Sequence, residues 1–129
     1  MNLEKLKKVN VLYVEDDEAI MASFSKILNK VFNKVITATN GAEGLETYKQ
    51  HKDEIDFVIT DIKMPKMDGI DMSAKIKEID PNMPCILTTA HGEYEYFLRA
   101  DEVGIYRYIQ KPLNVNELFN AISDLIDKE

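Results

Sequence analysis

Five short apolar runs, each closed by polar or turn-forming residues and each followed by a segment of helical periodicity, constrain this chain more than any other feature. They are VNVLYV (9–14), KVITA (34–38), DFVIT (56–60), PCILT (84–88) and YRYI (106–109). Runs of this length, rich in β-branched residues and bounded by breakers, read as strands. After the first, Ile20, Phe24, Ile27, Leu28 and Val31 recur at helical spacing and predict a helix over 18–32. Asn40 with Glu43 reads as a reciprocal capping box opening a second helix, with Leu45 and Tyr48 on its buried side. A third helix is predicted from Gly69 to Ile79, with Met72, Ile76 and Ile79 on one face and Asp80-Pro81 as its stop. A fourth runs from Glu93 to about Val103 and ends at Gly104, a left-handed cap. Asn114 with Glu117 opens the last, whose buried stripe is Val115, Leu118, Phe119, Ile122, Leu125 and Ile126.

Strands alternating with helices in this way predict an α/β fold with a parallel sheet. Right-handed crossovers leave few topologies, and the leading one is a doubly wound five-stranded sheet in the order 2-1-3-4-5, a flavodoxin-like (βα)5 arrangement. The 129 residues suit one domain, 1–129, without repeats or linkers, and a content of 45% hydrophobic and 30% charged residues argues for a globular chain. No apolar run approaches the roughly 20 residues that span a bilayer. The first ten residues are basic and mildly amphipathic but lack a secretory cleavage pattern, so a cytoplasmic location without membrane insertion is expected. A net charge of −7 argues against direct nucleic-acid binding by this segment. The single cysteine, Cys85, lies inside an apolar run and reads as a buried, inert thiol.

The predicted strand order has its switch point between strands 1 and 3, where open α/β sheets bind ligands. Glu15 and Asp16 follow strand 1 and Asp61 follows strand 3, so topology brings three carboxylates to one crevice. Such a cluster raises at least one pKa unless a cation is present, and oxygen-only donors with room for water suit Mg²⁺. A carboxylate beside Mg²⁺ can also attack phosphorus, a reaction carried by positioning and by neutralising charge on the phosphoryl oxygens. Lys111 and Thr89, at the ends of strands 5 and 4, offer the cation and the hydroxyl. Taken singly they read as a surface lysine and a loop hydrogen-bonder; their shared edge is what gives them weight.

The pieces VLYVEDDE, FVITDIKMPKMDGI, CILTTA and GIYRYIQKPL, in this order, resemble the response-regulator receiver domains of bacterial two-component signalling, chemotaxis regulators included, over essentially the whole chain. Members of that family are among the proteins from which the strand-order rule was drawn, so fold and family are not independent expectations. The resemblance implies that Asp61 accepts a phosphoryl group from a phosphohistidine of a sensor histidine kinase or phosphotransfer protein. It further implies that Asp16 ligates Mg²⁺ directly, Glu15 mostly through water, and the Lys63 backbone carbonyl completes the protein's share. Thr89 would bond the phosphoryl group, Lys111 pair with it, and Tyr108 change position as Thr89 moves inward. Pro65 and Gly69 would shape the loop after Asp61, and Lys111-Pro112 would be a cis peptide. Lys63 and His91 would tune hydrolysis, with Lys63 obstructing the attacking water to give a persistent phosphorylated state, or else both side chains point to solvent. Tyr94, Tyr96, Tyr106 and Tyr108 cluster over the fourth helix and fifth strand. They either pack an edge strand or form the output face toward a downstream protein or a second, phosphorylated copy.

The leading expectation is thus a phosphorylation-controlled switch, not an enzyme beyond its own phosphoryl transfer and autodephosphorylation. A Mg²⁺-dependent phosphohydrolase would carry a second acid where Lys63 stands, and a docking domain indifferent to phosphorylation would have lost part of the acidic site.

Overall fold

Strands buried on both faces belong in the middle of a sheet, and the three most apolar runs take those places: β1 (Asn10–Val14), β3 (Phe57–Asp61) and β4 (Cys85–Thr89). The edges are β2 (Lys34–Ala38) and β5 (Arg107–Gln110), both partly exposed. In the computed structural model, which describes residues 3–89, 95–111 and 114–127, all four pairings are parallel and the order is β2-β1-β3-β4-β5. The predicted doubly wound α/β topology is the observed one.

Helices cover both faces. On one side α2 (Glu18–Val31) and α6 (Val115–Asp127) bury Phe24, Leu28, Leu118, Phe119 and Ile122 against Val11, Tyr13, Ile59, Ile86 and Ile109. On the other lie α3 (Gly41–His51), α4 (Gly69–Ile79) and α5 (Glu95–Val103), with Leu45, Tyr48, Met72 and Ile76 against Leu12, Val14, Val58 and Cys85. Each fully buried Leu or Ile contributes about 1.5–3 kcal/mol, so these layers outweigh local propensity in fixing the elements. Burial also pushes the Cys85 thiol up to about 11, which leaves it protonated and inert. No helix among the described residues is long and apolar enough to cross a membrane.

Several local expectations change. A four-residue helix, α1 (Leu3–Leu6), precedes β1 and seats Leu6 in the core, and it is too short for periodicity to reveal. Ile27 and Ile79 are 37% and 39% exposed. In α2 the buried stripe runs through Phe24 and Leu28, which turns Ile27 outward, and Ile79 is the last residue of α4. Asn40 caps α3 as expected, accepting from the Glu43 N–H at 2.8 Å, but the Glu43 carboxylate takes the Thr39 hydroxyl at 2.8 Å instead of returning to the cap. Gly104 has φ +85 and closes α5 as expected, and Asn114 accepts from the Glu117 N–H at 3.0 Å to open α6. Asp61 and Thr89 are the last residues of their strands, where loop positions were expected.

The loop from Asp61 to α4 is packed back onto the strand it leaves. Gly69 donates its N–H to the Ile62 carbonyl at 2.8 Å, and a Cβ on Gly69 would lie 1.9 Å from the Asp61 carbonyl oxygen. Between them the Met67 N–H bonds the Pro65 carbonyl at 2.8 Å around Lys66, whose φ of 72 is the one positive value on a non-glycine among the described residues. Asp68 then caps α4 through the Asp71 N–H at 2.8 Å. Because the clash at Gly69 is with backbone, Gly69→Ala is expected to cost at least about 2 kcal/mol. Gly44→Ala, where the nearest obstacle is the flexible Met72 Sδ at 2.5 Å, is expected to cost less. Urea denaturation midpoints of the two variants check the ranking.

Candidate functional site

Strand alternation gathers the site's side chains on one face of the sheet. Val11 and Tyr13 of β1, Phe57 and Ile59 of β3 and Ile109 of β5 all belong to the layer under α2 and α6. The next positions on that face are Glu15, Asp61 and Lys111. Glu15 continues the ladder past β1, its N–H on the Ala38 carbonyl at 3.1 Å, and its side chain is buried. Lys111 is held past β5 by its N–H on the Thr89 carbonyl at 2.7 Å. Carboxylate oxygens of Glu15, Asp16 and Asp61 lie within 4.8 Å of one another, with Glu15 buried, Asp61 partly buried and Asp16 exposed. Asp17, the next acid, is withdrawn from this group: it caps α2 by accepting from Ala19 and Ile20 N–H at 2.9 and 3.0 Å.

Lys111 bridges the two inner acids. Its Nζ lies 3.0 Å from Asp61 Oδ2 and 3.4 Å from Glu15 Oε1. The remaining oxygens are met by backbone: Ile62 N–H on Asp61 Oδ1 at 2.9 Å and Asp17 N–H on Glu15 Oε2 at 3.1 Å. Burial, and then the charge of Asp61, push the Glu15 carboxyl above its ordinary 4.5, against the lowering effect of the Asp17 N–H and Lys111. For Lys111 burial acts to lower the pKa, but the hydrogen bond and charge of Asp61, joined by Glu15, outweigh it and hold the ammonium above 10.5. The signs differ in consequence. Glu15 favours the fold when protonated, a contribution present below 4.5 and lost as pH rises through its folded value. Lys111 favours the fold when charged, a contribution lost only as pH climbs through its folded value above 10.5.

The other expected residues fall around this centre. Thr89 is buried at 3% exposure, yet in register Thr88 is the residue opposite Asp61, and its hydroxyl reaches the Thr60 carbonyl at 3.4 Å. Tyr108 pairs with Leu87 and leans on α5, its ring 4.9 Å from Phe97 and its hydroxyl donating to Asp101 at 2.9 Å. Burial and that bond push its phenol up to about 12. Lys63 is exposed, with its ammonium 5.8 Å from the centre of the Tyr96 ring. Arg99 sits 6.0 Å from the same ring and reaches Asp68 at 3.2 Å and Asp71 at 2.8 Å, tying α5 to the end of the Asp61 loop. Sequence reasoning missed Thr88, Arg99 and the capping role of Asp17; only the last had a local signal, an Asp just before a helical period. His91, Tyr94 and Pro112, with its expected cis bond, lie outside the described residues.

Residues 11–123 match the family model of the response regulator receiver domain. The chain belongs to that family. The chemotaxis protein CheY of Halobacterium salinarum is 36% identical over 116 residues, which cover 90% of this chain and 95% of that protein. The transcriptional regulatory protein GlrR of Escherichia coli K12 is 34% identical over 122 residues, 95% of this chain, so the chain spans only 27% of that protein's length. Among solved structures, the CheX-CheY-BeF3-Mg²⁺ complex of Borrelia burgdorferi contains a chain similar to this one at TM-score 0.84 and 31% identity, covering 98% of this chain and 95% of that one. The chain is thus a receiver domain of two-component signalling, and its acidic crevice lies at the strand ends where the sequence placed it.

Removing Lys111 exposes what it balances. Lys111→Met is expected to lower stability at pH 7 by about 1–3 kcal/mol, less than a fully buried pair would lose because the ammonium is partly solvated. The loss should shrink as pH falls through the carboxylate range, since protonating Glu15 relieves the repulsion. Chemical denaturation of both proteins across pH 4–8 checks the size and the sign.

Proposed function

We propose that this receiver domain is a phosphorylation-controlled switch in which Asp61 accepts the phosphoryl group of a partner's phosphohistidine. The observation that carries the reading is the convergence of three carboxylates within 4.8 Å with a lysine 3.0 Å from Asp61, at the ends of three different strands. An Asp61 oxygen attacks phosphorus, the phosphorus–nitrogen bond breaks and the imidazole leaves, taking up a proton. Lys111 follows the transferred group as the cation beside its oxygens, exchanging a carboxylate partner for a phosphoryl one. Thr89 bonds the same group as it turns inward, and Tyr108 leaves its place against α5 to follow it.

The donor set fits Mg²⁺: the ligand atoms are all oxygens, no His or Cys intrudes among the described residues, and Asp16 is open to water. Glu15, Asp16 and Asp61 would hold the ion, with the Lys63 carbonyl. Bound there, Mg²⁺ supplies charge neutralisation on the phosphoryl oxygens. Similarity to a CheY solved with BeF3 and Mg²⁺ supports the assignment. Beyond this self-directed transfer and its hydrolysis the domain is read as having no enzymatic activity. Lys63 and His91 tune the hydrolysis, Lys63 from a position drawn toward the Tyr96 ring.

The partners are a histidine kinase or phosphotransfer protein on the input side and a downstream protein, or a second phosphorylated copy, on the output side. The output face is α5 with β5, where Leu98 is 64% exposed beside half-buried Tyr96, Phe97 and Tyr108. A net charge of −7 disfavours nucleic acid as a direct ligand of this segment.

Incubation with acetyl phosphate and Mg²⁺ is expected to give one phosphoryl adduct by intact-mass measurement, absent in Asp61→Asn. Turnover of many phosphoesters would instead make the domain a hydrolase, and no adduct on wild type would make it a docking module. Mg²⁺ alone should raise the melting temperature, by roughly 1.4 kcal/mol of stability at ten times Kd. Asp16→Ala should weaken that response more than Glu15→Ala.

A further inference from the structure

Three buried side-chain atoms lack a hydrogen-bond partner among the described residues: Tyr13 Oη, Ser73 Oγ and Ser123 Oγ. The two serines lie on helices, where a hydroxyl can turn to a carbonyl of the preceding turn. A phenol has no such option, because the ring fixes where its oxygen goes. Tyr13 is 1% exposed and its ring is packed 5.9 Å from that of Phe24, so the hydroxyl cannot reach bulk water by rotation.

Its place in the sheet says what it faces. Tyr13 is opposite Ile59 in the β1–β3 register and two residues before Glu15, as Ile59 is two before Asp61. It therefore forms the floor beneath the two inner carboxylates on the face they share. After burial, the charges of Glu15, Asp61 and Asp17 are what hold its phenol above the ordinary 10.0. The acceptors above it have capacity to spare. Glu15 Oε1 and Oε2 meet Lys111 and the Asp17 N–H, and Asp61 Oδ2 and Oδ1 meet Lys111 and the Ile62 N–H, so each oxygen keeps a lone pair. A buried hydroxyl without a direct acceptor is ordinarily satisfied by an ordered water with two to four polar partners.

We propose that Tyr13 is a positioning residue of the acidic site, its hydroxyl donating to a buried water whose two hydrogens bond the Glu15 and Asp61 carboxylates. Both like charges then share one donor, and Glu15 is held in place from below while Lys111 and the Asp17 N–H hold it from above. The inference rests on the reading of Glu15, Asp16 and Asp61 as the Mg²⁺ site and adds a residue to it.

Tyr13→Phe removes one oxygen and keeps the ring, so the variant folds. The Kd for Mg²⁺, measured by calorimetric titration of the unphosphorylated protein, is expected to rise about two- to tenfold, the scale of one hydrogen bond. The melting temperature without Mg²⁺ should stay level or fall. A Kd within twofold of wild type overturns the proposal, and a raised melting temperature alongside it would mark the hydroxyl as a plain unpaired group. A high-resolution crystal structure of the wild type tests it without the ion. A water within about 3.2 Å of Tyr13 Oη and of both a Glu15 and an Asp61 oxygen is expected, and a dry hydroxyl, or a water that fails to bridge the two carboxylates, overturns it. Wild type that binds no Mg²⁺ overturns the metal-site reading and this inference together, whereas equal binding by wild type and Tyr13→Phe overturns this one alone.

Discussion

Two carboxylates held at the ends of neighbouring buried strands repel each other, and the whole site is built around that repulsion. The parallel register that sets Val14 opposite Thr60 brings Glu15 and Asp61 to the same level of the sheet. At a few ångströms, in surroundings of reduced dielectric, such a pair opposes folding by an energy on the order of a few kcal/mol. Lys111, just past a strand two places from β3 and three from β1, meets both acids and makes the arrangement tolerable. A lysine already shared between two acids is also one that can change partners at small cost. The proposed phosphoryl transfer and Mg²⁺ binding would draw on that exchange.

Rigidity is distributed unevenly around this centre. The inner strands are buried along nearly their whole length, and the Asp61 loop is pressed onto its own strand through Gly69, where no side chain would fit. In contrast, Ala100 is the single buried side chain among those described in α5. That helix is tied down by the Arg99 contacts to Asp68 and Asp71, the Tyr96 ring and the Tyr108 hydroxyl bond to Asp101. Exposed ion pairs of this kind contribute about 0–1 kcal/mol each. A helix held so lightly is the least firmly fixed element beside the acidic crevice, and the proposed switch would use that looseness to turn a small change at Asp61 into a change of surface.

Much of this was legible in the chain. The elements of the sheet follow from apolar runs and helical periods, which act over short distances; their order and the crevice at the switch point follow from the handedness of crossovers together with a strand-order rule drawn in part from this family. Asp61, Glu15, Asp16, Thr89 and Lys111 could be placed at one edge because each stands at the end of an apolar run. Ile27 and Ile79 were read as core because helical periodicity defines a broad stripe, and only packing against the sheet decides which side of it is covered. The Glu43 carboxylate was assigned to the capping box because a spacing rule cannot know that the Thr39 hydroxyl lies nearer.

The sequence by itself therefore determined the fold class, the strand order and the acidic crevice, since burial and chirality leave a chain of this pattern few alternatives. Only the tertiary structure decided that Lys111 is shared between Glu15 and Asp61, that Asp17 serves a helix and not the site, that Thr88 and not Thr89 stands opposite Asp61, and that the buried Tyr13 hydroxyl has no side-chain or backbone partner among the described residues. These facts depend on register and side-chain direction across strands far apart in the chain, and no local pattern of residues encodes a distance between them.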